Sequence, residues 1–98
     1  MSRAIPGFEW DERKRAINLG RHGIDFADAI RIFDGPVTKT PAIPPSQGET
    51  RIRALGVVNG VMLHVVYAWR AARRQLISAR RAGANECRAY YASFGRAG

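Results

Sequence analysis

The sequence predicts an α+β fold: a small antiparallel sheet of three to four strands, with two helices before it and one after it, all in one domain spanning residues 1–98. Three observations carry this expectation. The stretch from Arg51 to Arg81 holds three apolar runs. Val58-Asn59-Gly60-Val61 puts Asn-Gly between the first two, where a type I′ turn requires positive φ at both central residues. Phe26, Ala29, Ile30 and Phe33 recur at the i, i+3, i+4, i+7 spacing of a helix with one buried face.

The elements follow in chain order. Phe8-Glu9-Trp10 is extended in character and suits a short edge strand or an apolar anchor. Asp11 is a good N-cap for a helix from about Glu12 to Arg21, and Glu12 suits the positive end of its dipole. Lys14, Asn18 and Arg21 share one face of that helix, and Gly23 suits a left-handed C-terminal position. Asp25 caps the second helix, which Asp34-Gly35-Pro36 stops. Val37-Thr38 allows one more strand, whereas Pro41, Pro44, Pro45, Ser46, Gln47 and Gly48 describe a mobile loop. After the hairpin, a short polar link with Arg70, Arg73 and Arg74 leads to a third strand, Leu76 to Ala79, ending in Arg80-Arg81. Ala84, Cys87, Tyr91 and Phe94 then share a face of the last helix, beside Tyr90, and the tail Gly95 to Gly98 is expected to fray.

Ninety-eight residues suffice for one core. Sixteen Lys and Arg against eight Asp and Glu give a net charge of +8, and the only lysines are Lys14 and Lys39. Arginine forks onto phosphate oxygens and stacks on bases, so the composition points to a polyanionic partner, either nucleic acid or an acidic protein. The longest apolar run, Val61 to Trp69, is too short to span a bilayer, no leader segment opens the chain, and lone Cys87 can form no internal disulfide. A reducing cytoplasm and no membrane association are expected.

Two histidines, one cysteine and scattered carboxylates show no zinc spacing, so neither a metal nor another cofactor is expected. Gly20 to Gly23 lacks the strand and the lysine of a phosphate loop, and Ser46, Ser78 and Ser93 have no nucleophile context. What remains suits RNA cleavage by the ribose 2′-hydroxyl, which needs cations for the phosphorane charge and one or two groups to move protons. Arg70, Arg73, Arg80 and Arg81 are candidates for the cations, and His22, His64, Glu86 and Tyr90 for the proton carriers. Arg80 and Arg81 point to opposite faces if the strand persists, so at most one lines a given site. His64, opposite Leu63 and Val65 on its strand, sits either beside a basic cleft or under a helix.

These residues also carry a family resemblance. Phe8-Glu9-Trp10-Asp11-Glu12, Lys14 with Asn18, Arg21-His22-Gly23-Ile24, Phe33-Asp34, Arg51, Val65-Val66-Tyr67, Arg70, and Ile77-Ser78-Ala79-Arg80-Arg81-Ala82 with Glu86 and Tyr90 resemble the BrnT family of toxins. The resemblance implies a RelE-like fold, ribonuclease activity that halts translation, and a BrnA-type antitoxin that covers the toxin in a hetero-oligomer. Operator DNA would be contacted only through that antitoxin. It further implies Arg70, Arg80 and Arg81 as phosphate or transition-state groups and His22, Glu86 and Tyr90 as proton handlers. Lys14, Arg21, Arg51 and Arg73 are the expected RNA-binding cations. Gln75 stands where the family usually has Arg, and Gly83 where Ser or Thr would cap the last helix. A non-catalytic basic module that binds nucleic acid or a partner is the competing expectation.

Overall fold

The computed structural model describes residues 2–42 and 50–94, with side chains from residue 6 onward. The proline-rich loop at 43–49 and the tail at 95–98 lie outside the described residues. The elements are β1 (Ser2–Ile5), β2 (Phe8–Asp11), α1 (Glu12–His22), α2 (Phe26–Ala29) continued by a 3₁₀ helix (Ile30–Asp34), β3 (Thr38–Pro41), β4 (Arg51–Val58), β5 (Val61–Arg70), β6 (Arg73–Arg81) and α3 (Ala84–Phe94). The α+β class is as the sequence predicts, but the sheet is larger and mixed. Among the described residues it has six strands in the order β1-β2-β6-β5-β4-β3, and β2 runs parallel to β6.

The expected meander is its centre. Asn59 and Gly60 take φ of 50° and 80°, and β4 and β5 pair from Val58–Val61 to Arg51–Ala68. The supposed polar link after Trp69 shrinks to Ala71-Ala72, so Arg70, Arg73 and Arg74 stand in strands, with Ala71 held at φ 53°. The added strands come from short polar sequence. Pro6-Gly7, with Gly7 at φ 84°, turns Ser2–Ile5 back onto Phe8–Asp11, so β2 is no edge strand. At the other side, Thr38–Pro41 pairs with Ile52–Leu55.

Helix boundaries follow the capping logic. The Asp11 carboxylate accepts from the Arg13 and Lys14 amides at 2.7 and 3.3 Å, and the Gly23 amide donates to the Leu19 carbonyl from a left-handed φ of 72°. The second helix tightens to 3₁₀ at Ile30, with three residues per turn, so the fully buried positions run Phe26, Ala29, Ile32, while the expected Ile30 and Phe33 pack partly buried against the same core. Ile32 presses onto the sheet at Gly56, where an added Cβ would lie 2.6 Å from the Ile32 Cβ.

The core lies between the first two helices and one sheet face, built from Trp10, Phe26, Ala29, Ile32, Ala54, Leu63, Val65, Tyr67, Leu76 and Ala79. Beyond the point where β2 stops pairing, Asn18 of α1 closes the exposed edge of β6. Its side-chain amide donates to the Ala79 carbonyl at 2.8 Å and accepts from the Ala79 amide at 3.1 Å, and it also donates to the Ile24 carbonyl at 2.9 Å. Asn18 is thus buried because it substitutes for a missing strand. Replacing it by Ala strands three backbone groups; Asn18→Ala is expected to lose about 2–3 kcal/mol. For a chain of this size the melting midpoint should fall by roughly 10–20 °C in a thermal unfolding scan, and a loss under about 0.5 kcal/mol would contradict this account.

Candidate functional site

Side chains of paired residues share a sheet face, so the strand register sorts the cations. On the face away from the core, Thr38, Leu55, His64 and Arg80 form one row, and Thr40, Arg53, Val66 and Ser78 the next. Arg51, Ala68 and Gln75 form a third, and Arg70 and Arg73 a fourth. From the row of Arg80 to that of Arg73 is roughly 20 Å at about 3.4 Å per residue. The opposite face carries the core.

Helix α3 lies across this arginine-bearing face. It leaves β6 through Ala82-Gly83 and heads toward β3, where the buried Tyr90 hydroxyl donates to the Pro36 carbonyl at 2.9 Å. Its rotational phase differs from the expected one: Tyr91 and Phe94 are exposed, while Glu86 and Tyr90 turn toward the sheet. Glu86 fixes that phase. Its carboxylate accepts from the Gly83 amide at 2.7 Å, the acid's half of a capping box whose other half Gly83 has no side chain to make. It also grips both terminal nitrogens of Arg80, at 2.9 and 2.8 Å.

Between α3 and the sheet runs a cleft of about 330 Å³ lined by Thr38, Thr40, Arg53, Leu55, His64, Asn85, Glu86, Ala89 and Ser93. His64 is 8% exposed, with Nε2 3.7 Å from the Glu86 Oε2 and Nδ1 buried without a hydrogen-bond partner. Burial, seconded by the charge of Arg80, pushes the imidazole below its ordinary range, so it is neutral at pH 7. Glu86 behaves oppositely: the Arg80 fork holds its carboxyl down to about 2, and the same pairing raises Arg80. The cleft therefore contains a neutral imidazole beside a fixed carboxylate and the Arg53 guanidinium, with Arg80 behind Glu86, an arrangement suited to taking up a proton next to a bound anion.

Of the residues singled out from sequence, Glu86 and His64 line this cleft, and Arg80 adjoins it through its ion pair with Glu86. Arg51, Arg70 and Arg73 share its sheet face farther along, and Arg73 lies 3.9 Å from Glu9. Arg81 stands on the core face, in a separate cleft with Asp25 and Asp28. His22, Lys14 and Arg21 line a third hollow between α1 and the edge of β6, with Asn18 and Ser78. Tyr90 is engaged under α3 by its bond to Pro36, with Tyr91 and Phe94 against its ring. Arg74 is half-buried among aromatic rings: its guanidinium lies 4.3 Å from the Phe33 ring centre and 4.6 Å from that of Trp69, with Tyr67 and Phe8 also near it. The sequence reading missed Arg53, Thr38, Thr40 and Asn85. The alternation Arg51-Ile52-Arg53-Ala54 was the available signal for Arg53, since it puts both arginines on one face. Among the described residues no group of three or more His, Cys, Asp or Glu side chains is placed to hold a metal ion, and no helix is long and apolar enough to cross a membrane.

Residues 10–86 match the family described as ribonuclease toxin, BrnT, of type II toxin-antitoxin system, and the chain belongs to that family. No curated protein matches it.

The electrostatics give signed expectations for pH. Because the fold resists protonating His64, stability falls as pH drops below the ordinary imidazole value of 6.5, and the Arg80–Glu86 contribution is lost as pH falls from 4.5 through about 2. In an NMR titration the His64 ring is expected to titrate below 6.5. Glu86→Gln should push its midpoint lower by removing a favourable charge, and Arg80→Met should raise it by removing a repulsive one. A wild-type midpoint at or above that of a free imidazole would overturn the assignment.

Proposed function

We propose that this BrnT-family chain acts in the cytoplasm as a single toxin domain of RelE-like fold. It cleaves RNA without a metal ion, by attack of the ribose 2′-hydroxyl on the adjoining phosphodiester, and so halts translation. The observation that carries the reading is the meeting of His64, Glu86 and Arg53 at one cleft on the arginine-bearing sheet face, with Arg80 paired to Glu86 beside it.

Each group has a task in that reaction. Neutral His64 accepts the 2′-hydroxyl proton at Nε2, the nitrogen on the side of Glu86. Glu86 is too weak a base for that step, because Arg80 holds its carboxyl near 2. Its fixed negative charge instead steadies the imidazolium that forms. Arg53 and Arg80 take the charge that gathers on the phosphorane oxygens. The bond from phosphorus to the 5′-oxygen of the next nucleotide breaks, that oxygen takes a proton from solvent water while His64 returns its own to solvent, and a 2′,3′-cyclic phosphate and a 5′-hydroxyl result. Arg51, Arg70 and Arg73 extend the same face and hold the flanking strand, while Lys14, Arg21 and His22 offer a second anionic contact around the edge of β6. A BrnA-type antitoxin is the expected partner. It would cover this face in a hetero-oligomer and carry the complex to operator DNA.

Purified protein freed of any partner is expected to cut RNA in EDTA, leaving cyclic phosphate ends. Arg80→Ala and His64→Ala should each lower the rate more than about tenfold, or about 1.4 kcal/mol in the barrier. Arg81→Ala, on the opposite face, should change it less than about threefold. Salt-dependent RNA binding with intact product lengths would replace this reading with that of a basic binding module.

A further inference from the structure

We propose that the uncharged end of the cleft is a subsite for one nucleobase of the RNA strand, the base next to the scissile phosphate. It would lie between Leu55 and Ala89, with Thr38, Thr40 and Ser93 around its edge. The inference rests on the RNA-cleaving reading and extends it from the phosphate to the base.

The lining of the cleft divides by position. His64 and Glu86, with Arg80 behind Glu86, stand at the β6 end, and Arg53 reaches in from the neighbouring row. One and two strands farther along the same row come Leu55 and Thr38, with Thr40 beside Thr38. Strands lie about 4.8 Å apart, so these residues sit roughly 5 to 10 Å from His64. Along the facing wall, Asn85, Ala89 and Ser93 follow one another at four-residue intervals on one side of α3. The far end thus has an aliphatic floor from Leu55, a small apolar wall from Ala89 and a rim of hydroxyls. A phosphate would meet there only neutral hydroxyls and the flank of Arg53, which stands opposite Thr40, whereas a base buries its faces against Leu55 and Ala89 and finds partners at its edge.

Size and hydrogen bonding narrow the occupant. A volume of about 330 Å³ is at the lower end of small-ligand sites, room for one base and its sugar and no more. The Ser93 hydroxyl donates to the Ala89 carbonyl at 3.1 Å and so offers lone pairs to the cleft, and threonine hydroxyls turn to donate or accept. Such a rim accommodates any of the four bases, so the subsite reads the presence of a base more than its identity.

The test uses the full-length protein and a short RNA whose cleavage position has been mapped. Each base flanking that position is removed in turn, leaving ribose and phosphate intact. Removal on one side is expected to lower cleavage on the order of tenfold, while exchanging that base among the four changes it less than about threefold. Ala89→Leu, which keeps helix propensity and fills the wall, should lower cleavage of intact RNA by a similar factor and leave the RNA lacking that base unaffected. Binding of the same oligomers with a 2′-deoxy sugar at the scissile position is measured in parallel. Cleavage indifferent to either missing base and to Ala89→Leu would overturn the subsite and leave the ribonuclease reading standing. Uncut RNA whose 2′-deoxy analogue binds with the same dependence on base and Ala89 would uphold the subsite and remove the reaction.

Discussion

Neighbouring residues of a β-strand face opposite ways, and the chemistry of this chain depends on how that rule is obeyed in β4, β5 and β6. Ile52, Ala54, Leu63, Val65 and Tyr67 turn toward the first two helices, while Arg51, Arg53, His64 and Arg70 turn away. Strict alternation fails in β6, because Leu76 and Ala79 are both buried although three residues apart, and Arg73 and Arg80 share a face although seven apart. The register shift opposite Val66 and Tyr67 resolves this. Val66 pairs with Ser78 and Tyr67 with Leu76, so Ile77 is left over, and that one extra residue changes the parity of the strand. Both ends of β6 then supply the core, through Leu76 and Ala79, and each splits its arginine pair, with Arg73 and Arg80 on the outer face and Arg74 and Arg81 on the core face.

Gathering like charges on a sheet costs free energy, and the fold offsets it locally. Glu86 is fixed by three bonds at the point where Arg80 and His64 come together, one of them to the backbone that starts α3. The same carboxylate caps the helix, sets its rotation and places Asn85, Ala89 and Ser93 along the cleft. The imidazole stays neutral because burial and Arg80 outweigh the attraction of Glu86. A base that is unprotonated at neutral pH beside cations that are always charged is a combination an isolated surface cluster would not hold, since exposed imidazole would titrate near its ordinary value.

What the sequence made legible was whatever is written locally. The Asn-Gly turn, the Asp11 and Asp25 caps and the Gly23 terminus each involve residues within four positions of one another, and each is found where expected. The opposite faces of Arg80 and Arg81 were legible for the same reason. Of the outer strands, Thr38–Pro41 was legible only as the extra strand that Val37-Thr38 allows, and Ser2–Ile5 not at all, because neither has an apolar period of its own and each becomes a strand by pairing with a partner. Nor could periodicity show that Tyr90 would bond to Pro36, 54 residues away, or that Asn18 would reach Ala79 across 61. Reading α3 by its apolar residues put Tyr91 and Phe94 on the core face; the ion pair of Glu86, a polar and long-range contact, decided its rotation instead.

Composition misled in a related way, since a net charge of +8 does not describe the charge available to a polyanion. Arg15 is spent on Asp25, at 2.8 and 2.7 Å, and on Glu12, where it ties α1 to the start of α2. Arg74, half-buried, packs its guanidinium against four aromatic rings and joins β6 to the core. Arg81 faces two aspartates across another cleft. The sheet face away from the core carries Arg51, Arg53, Arg70, Arg73 and Arg80 together, with Arg80 forked onto Glu86 and Arg73 3.9 Å from Glu9, so even that field is partly neutralised. Guanidiniums differ here by location, not by kind, and location follows from strand parity and from the few long-range polar contacts that parity makes possible.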